Sequence, residues 1–229
     1  MSWAERAADR SPVVQRSRTK GVEQARAIVR AAQRLIALKG ASFTTQELVK
    51  EAGIALQTFY RYFQGKDQLL IAVIEDMVDS SAAQYKQQAT AIEDPLERIR
   101  FHISVVMESL AEAGDTPHGP RFITAEHWRL SSLYPEEMER ATRPFKDLLQ
   151  DEIEAARAEG LIEADDPAYD AWLVNQLVMS VFHHYAFAPA DHSYKDIADR
   201  LWSFCLAGFS AHPDRGGERL VRAKKRRAG

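Results

Sequence analysis

Apolar residues recur at helical spacing along most of the chain, and no stretch alternates apolar and polar residues as a half-buried strand would. The first clear stripe occupies positions i, i+3, i+4, i+7 and i+8 of one helix: Ile28, Ala31, Ala32, Leu35 and Ile36. This stripe predicts a helix from Val22 to Lys39. Gly40 ends it, because glycine readily adopts the left-handed conformation that closes helices.

Capping residues, glycines and prolines divide the rest of the chain into eight further helices. They are predicted at Thr44–Ala52, Ala55–Phe63, Lys66–Ala91, Pro95–Ala113, Arg121–Ser131, Glu136–Glu159, Pro167–Ala188 and Tyr194–Ala211. The sequence therefore predicts an all-α protein with about nine helices. Its first three helices are short, and the remaining ones form a larger helical part.

The second and third predicted helices form a helix-turn-helix at about residues 44–63. Thr44 and Glu47 have the spacing of a capping box, and Gly53 provides the turn between the two helices. One side of the pair is apolar and can close a small core with the first helix: Leu48, Val49, Ala52, Ile54, Phe59 and Phe63. The other side leaves Gln57, Thr58, Arg61 and Tyr62 outward, where a helix in the major groove contacts base edges.

Charge is distributed very unevenly, although the formal net charge is only −3. Residues 1–70 contain 12 basic and 6 acidic residues, and residues 213–229 contain 7 basic and 2 acidic ones. Residues 71–212 contain 11 basic and 25 acidic residues. The helix-turn-helix therefore lies in a basic segment suited to a polyanion, while an acidic segment follows it.

The stretch from Ile28 to Leu70, IVRAAQRLIALKGASFTTQELVKEAGIALQTFYRYFQGKDQLL, resembles the DNA-binding domain of TetR-type transcriptional regulators. The matching features are the alanine pair of the first helix, Gly40, the Thr44-Thr45 pair, Ala52-Gly53-Ile54, the segment from Thr58 to Phe63, and Lys66 with Leu69-Leu70. Beyond this stretch the chain resembles the family only in length and helical character.

The resemblance implies that Thr45, Tyr60 and Lys66 contact phosphates. It also implies that Gln46, Gln57, Thr58, Arg61 and Tyr62 face bases or backbone. The amides at the start of the second helix favour a phosphate near Thr44 as well. Two positions depart from the family, because Ala55 stands where Ser or Thr often caps the third helix and Leu56 stands where a polar residue is common. Leu56 either packs inside the protein or contacts thymine methyl groups, so relatives do not give the operator sequence.

Four segments follow from these patterns. Residues 1–21 are expected to be a flexible basic arm, and residues 22–80 a TetR-type DNA-binding domain. Residues 81–211 should form a helical regulatory and dimerisation domain, and residues 212–229 a disordered basic tail. The arm either enters a minor groove or stays solvated, and the tail either adds nonspecific DNA affinity or does nothing.

By its position, the acidic part resembles the family's regulatory domain, which dimerises and encloses a small-molecule pocket. Large apolar side chains with a few polar groups suit such a pocket, although each could equally be core: Met107, Phe122, His127, Trp128, Phe145, Met179, Phe182 and His183. The last two helices carry the apolar residues expected at the dimer surface: Leu173, Leu177, Val181, Trp202, Cys205, Leu206 and Phe209. A homodimer would contact a palindromic operator through two half-sites.

Other chemistry finds little support in the sequence. The single cysteine excludes a multi-thiolate metal site, the histidines lack ligand spacing, and no catalytic motif or phosphate-binding loop is present. We therefore expect no metal, no cofactor, no catalytic residues, no membrane segment and a cytoplasmic location. Three hypotheses remain: a ligand-released repressor, an activator or protein-controlled regulator of the same fold, and a helical enzyme that uses the aromatic cavity.

Overall fold

A computed structural model describes residues 12–112 and 118–210 of the chain. Within these residues it contains nine α-helices and no strand, which confirms the predicted all-α class. They are α1 (Pro12–Lys39), α2 (Thr45–Ala52), α3 (Leu56–Tyr62), α4 (Lys66–Ala89), α5 (Pro95–Glu112), α6 (His118–Leu133), α7 (Pro135–Ala158), α8 (Pro167–Tyr185) and α9 (Tyr194–Ser210). A 3₁₀ turn at Gly40–Ser42 joins α1 to α2.

The first helix is longer than its apolar stripe predicts. α1 begins at Pro12, so residues 12–21 are helical and not the flexible arm that the sequence suggested. Proline suits the first turn of a helix, and each residue added to an existing helix needs no new nucleation. Residues 1–11 lie outside the described part of the chain, as do residues 211–229, which include the predicted tail.

The chain divides into two compact units. Unit 1 comprises Met1–Met77 and Arg121–Ala141, so it holds α1–α3, the first half of α4, most of α6 and the start of α7. Its fully buried side chains include Ile28, Leu48, Phe59, Leu69 and Leu130. The predicted border near residue 80 is therefore incomplete, because residues 121–141 return to the unit that carries the helix-turn-helix.

Unit 2 comprises Val78–Pro120 and Thr142–Gly229. Its core is formed mainly by α5, α7, α8 and α9, and among its fully buried side chains are Ile99, Ile103, Met107, Leu149 and Val178. In the part of the chain that the structure describes, no helix is both long and apolar enough to cross a bilayer.

Candidate nucleic-acid interface

The start of α2 is fixed by the capping box that the sequence predicts. The Glu47 amide donates to Thr44 Oγ1 at 3.2 Å, and the Thr44 amide donates to Glu47 Oε2 at 2.7 Å. Lys39 also donates to the Glu47 carboxylate. These hydrogen bonds, that of Lys39 first, lower the pKa of Glu47 to about 2. The carboxylate is therefore ionised at neutral pH and holds the N-terminus of α2 in place.

The turn between α2 and α3 depends on Gly53. Its φ of +65° lies in the left-handed region that favours glycine, and the following amide, of Ile54, donates to the carbonyl of Val49 at 3.0 Å. α3 then begins without a side-chain cap, because Ala55 stands at its N-cap. This agrees with the departure at Ala55 noted in the sequence.

The two faces of α3 differ sharply in exposure. Phe59 is 1% exposed and stacks on Phe63, with ring centroids 5.9 Å apart, so this face anchors the helix in the core of unit 1. On the opposite face, Gln57 and Arg61 are exposed and Tyr60 is 55% exposed. A seven-residue helix anchored on one side thus presents amide, guanidinium and phenol groups to solvent.

Leu56, Thr58 and Tyr62 complete the predicted surface of α3. Leu56 is 45% exposed, so it is not a packing residue of this unit and its side chain is open to a partner. Thr58 and Tyr62 are half-buried. Tyr62 Oη and Arg61 Nη2 each donate to Oε1 of Gln24 on α1 at 3.1 Å. Sequence analysis missed Gln24, because nothing local marks a contact between residues 37 positions apart.

The start of α2 carries three predicted DNA-contact residues that differ in their hydrogen bonds and exposure: Thr44, Thr45 and Gln46. The Thr44 hydroxyl accepts from the Glu47 amide and donates to the Glu47 carboxylate at 2.9 Å, so it is occupied by capping. Thr45 is half-buried and Gln46 is exposed, both in the first turn of the helix.

Lys66, which was predicted to contact a phosphate, is already hydrogen-bonded to backbone carbonyls of its own chain. Its ammonium donates to the carbonyls of Ala41 and Phe43, the latter at 2.7 Å, and lies 4.5 Å from the centroid of the Phe43 ring. Burial lowers its pKa. Two of its three N–H groups therefore hold the start of α4 against the chain around the 3₁₀ turn, which leaves one for DNA.

The residues predicted for a ligand pocket are divided between the units. Unit 2 contains the core side chains Met107, Phe145 and Phe182, with His183 buried and Met179 half-buried. Unit 1 contains Phe122, which is buried, His127, which is half-buried, and Trp128. Because Trp128 is 66% exposed, it does not line an enclosed cavity within unit 1. The pocket itself stays a prediction.

The residues predicted for the dimer surface also separate into two groups. Trp202, Cys205 and Phe209 pack inside the core of unit 2, which corrects their assignment to the surface. The thiol of Cys205 is correspondingly desolvated, and burial raises its pKa to about 11. Leu173 is exposed, and Leu177, Val181 and Leu206 are half-buried.

A surface groove lies beside the remaining apolar residues of α8 and α9. Its volume is about 560 Å³, and its walls include Leu177, Val181, Tyr185, Ile197 and Phe204. Phe204 is strongly exposed. Unit 2 therefore carries a mainly apolar surface groove on these two helices, which Ser180, His184, His192 and Arg200 also line. Among the described residues, no group of three or more His, Cys, Asp or Glu side chains is placed to hold a metal ion.

Comparison with known proteins gives the same domain at the same position. Residues 28–73 match the family model described as bacterial regulatory proteins, tetR family. This range contains α2 and α3 and the whole of the stretch Ile28–Leu70 identified from the sequence alone.

Two relatives and one solved structure extend the comparison. The HTH-type transcriptional regulator YuxN of Bacillus subtilis is 28% identical over 125 residues, 54% of this chain but only 41% of that protein. EthR of Mycolicibacterium smegmatis is 27% identical over 173 residues, 74% of this chain and 80% of that regulator. The solved structure of FadR from Bacillus subtilis, in complex with stearoyl-CoA, has the same fold, with a TM-score of 0.65, 17% identity and coverage of 81% of this chain and 98% of FadR.

Proposed function

We propose that the chain, whose residues 28–73 match the tetR family of bacterial regulatory proteins, is a cytoplasmic, homodimeric transcriptional repressor that a small ligand releases from operator DNA. The observation that carries this proposal is the asymmetry of α3. Phe59 and Phe63 anchor one side, while Gln57, Tyr60 and Arg61 are exposed to solvent on the other.

The proposed contacts follow from donor and acceptor geometry. Arg61 can donate two hydrogen bonds to the major-groove edge of guanine, and Gln57 can pair with adenine. Tyr60, Thr45 and the remaining N–H of Lys66 would contact phosphates, which orient the protein on DNA without selecting sequence. Leu56, open on the same helix, would contact a thymine methyl group.

A homodimer explains the apolar groove of unit 2. A second copy of the chain would cover Leu173, Leu177, Val181 and Phe204, whose exposure would otherwise be costly in a protein of this size. Two copies would also present two α3 helices to half-sites about 34–36 Å apart, and a palindromic operator would match that symmetry.

Ligand release would act as a population shift. A ligand that binds more tightly to a conformation with misplaced α3 helices lowers the affinity of the dimer for operator by the same factor by which operator weakens ligand binding. FadR, which shares this fold, was solved with stearoyl-CoA. Stearoyl-CoA is therefore the first compound to test on this chain.

The test begins with selection of a duplex by the wild-type protein from a random-sequence library. Anisotropy titration should then show tight, salt-dependent binding to the selected duplex, with a stoichiometry of two chains. Arg61→Ala should weaken specific binding by about 1–3 kcal/mol and leave random DNA nearly unaffected. Failure to enrich any sequence would overturn the proposal. A complex unmoved by stearoyl-CoA and by fractionated metabolite extracts would overturn only ligand release.

A further inference from the structure

Gln24 connects α1 to the two consecutive side chains at the end of α3. Its Oε1 accepts one hydrogen bond from Arg61 Nη2 and another from Tyr62 Oη, each 3.1 Å long. A carbonyl oxygen has two lone pairs, so this one atom is fully used by the two donors. The amide orientation of Gln24 is fixed by the same two contacts.

Arg61 is thereby held on two sides. Its guanidinium carbon lies 5.2 Å from the centroid of the Tyr62 ring, while Nη2 is tethered to Gln24. A free arginine loses considerable rotamer entropy when it is ordered, and that loss normally weakens binding. Four of the five N–H donors of the guanidinium remain available to a base after the bond to Gln24. The side chain is therefore partly ordered before DNA arrives.

The support for Gln24 is rigid. α1 packs Ile28, Ala31 and Ala32 into the core of unit 1, all with no exposed surface. One turn before Gln24, a Cβ at Gly21 would lie 3.7 Å from Tyr62 Oη, so α1 and the Tyr62 phenol are close neighbours. The glutamine oxygen thus stands at a fixed place relative to α3.

From this geometry we infer that Gln24 is a positioning residue for operator recognition, which orders Arg61 and Tyr62 for contact with DNA. The inference rests on the proposed function, since it assigns a role within the DNA-binding surface. Gln24 acts through Arg61 and Tyr62 and adds to sequence discrimination, because the ordered guanidinium loses less entropy when it meets the correct base.

The test compares the wild-type chain with Gln24→Leu, whose apolar side chain is one atom shorter and lacks the acceptor. Two duplexes are used: the one selected by the wild-type protein and a scrambled duplex of equal composition. We expect a loss of about 5- to 10-fold in affinity for the selected duplex, as for one ordinary intramolecular hydrogen bond, and less than about 2-fold for the scrambled one. Tyr62→Phe, which removes one of the two donors, should lower selectivity by less.

A double-mutant cycle separates positioning from direct contact. In an Arg61→Ala, Tyr62→Phe background, Gln24→Leu should change affinity for the selected duplex by less than about 2-fold, because both of its hydrogen-bond partners are gone. Equal losses in both backgrounds would overturn the inference. So would an equal loss on both duplexes with a reduced salt dependence, which would indicate a direct phosphate contact.

Gln33 provides a matched control on the same helix. Its Nε2 donates to Asp76 Oδ2 at 2.8 Å, so Gln33→Leu also removes one side-chain hydrogen bond within unit 1. This variant should lower thermal stability as much as Gln24→Leu or more, yet keep full selectivity. If it lost selectivity to the same extent, the effect of Gln24 would be general destabilisation and the inference would fail. If the wild-type chain selects no duplex, it is the proposed function that fails.

Discussion

The three helices of the DNA-binding module, α1–α3, differ from the helical core of unit 2 in the burial and hydrogen bonding of their polar side chains. In α1–α3, polar groups lie at the surface in reciprocal pairs, such as Thr44 with Glu47 and Gln24 with Arg61. In unit 2, His102 is completely buried, and neither ring nitrogen has a hydrogen-bond partner among the residues that the structure describes. Its Nε2 lies 3.9 Å from Glu152, beyond hydrogen-bonding distance.

The two regions therefore differ in how much their polar groups destabilise the folded state. The surface pairs of α1–α3 can exchange protein partners for water or DNA at little cost. A buried polar group without a partner instead destabilises the fold by about 1–3 kcal/mol. The Oδ1 atom of Asn175 on α8 is a second such group. Replacement of such a buried group by an apolar side chain of similar volume should therefore stabilise the fold.

The largest expected effect is in unit 1. Phe59→Ala removes the anchor of α3 and should lower the free energy of unfolding by about 3–5 kcal/mol. Hydrogen exchange should increase in α1–α3 while α9 stays protected. Tyr60→Ala, on the exposed face of the same helix, is the control and should leave exchange unchanged. Equal exchange in both variants would contradict the anchoring role.

In unit 2, Arg98 makes three hydrogen bonds and is partly buried. It bonds Glu152 at 2.5 Å and the carbonyls of Ile92 and Glu93 at 3.1 and 2.7 Å. Arg98→Met should cost about 1.5–3 kcal/mol in urea unfolding, because a partly buried carboxylate loses its partner. Arg100→Met, whose pair with Asp199 is more exposed, should cost at most about 1 kcal/mol. Similar costs for the two variants would mean that burial does not strengthen the Arg98 pair.

His102→Leu tests whether the buried imidazole lowers or raises the free energy of unfolding. Leucine fills a similar volume without polar atoms, so the free energy of unfolding should rise by about 1 kcal/mol, measured by urea titration at pH 8. A loss of stability instead would show that the imidazole is hydrogen-bonded in solution.

The smallest effect concerns pH. Burial lowers the pKa of His127 on α6 below its ordinary value of 6.5, so the folded protein favours the neutral ring. The unfolded chain then binds more protons, and this contribution to stability is complete above pH 6.5 and declines as the pH falls below it. His127→Gln should weaken the decrease in Tm between pH 7.5 and 5.5. An unchanged decrease would contradict the shift.

Local chemistry explains which parts of this molecule were predictable. The capping box at Thr44 and the turn at Gly53 depend on residues close in sequence, and both were predicted. On α3, Gln57 and Arg61 are exposed as predicted, whereas Thr58 and Tyr62 are half-buried. The helical extension to Pro12 was missed, because residues 12–21 lack an apolar stripe. Its basic side chains Arg16 and Lys20 are exposed on a helix and not on a flexible arm.

Contacts between distant residues were not predictable. An apolar side chain fits the core and a subunit interface equally well, so Trp202, Cys205 and Phe209 were assigned to the wrong one. Likewise, Lys66 looked available for phosphate until the backbone carbonyls of Ala41 and Phe43 were seen beside it. No sequence pattern around Gln24 indicates its contacts with Arg61 and Tyr62, which form only in the folded chain.

The discontinuity of unit 1 limits how this regulator can be recombined with others. Arg129 on α6 bonds Asp67 at the start of α4 at 2.7 Å, and Leu130 and Met138 are buried in the same unit. A fragment that ends at residue 80, or a chimaera joined there, would leave Asp67 without Arg129. It would also expose the apolar surface of unit 1 that residues 121–141 cover. A graft that is meant to transfer operator preference must therefore contain two segments of the chain: the N-terminal segment up to residue 77 and residues 121–141.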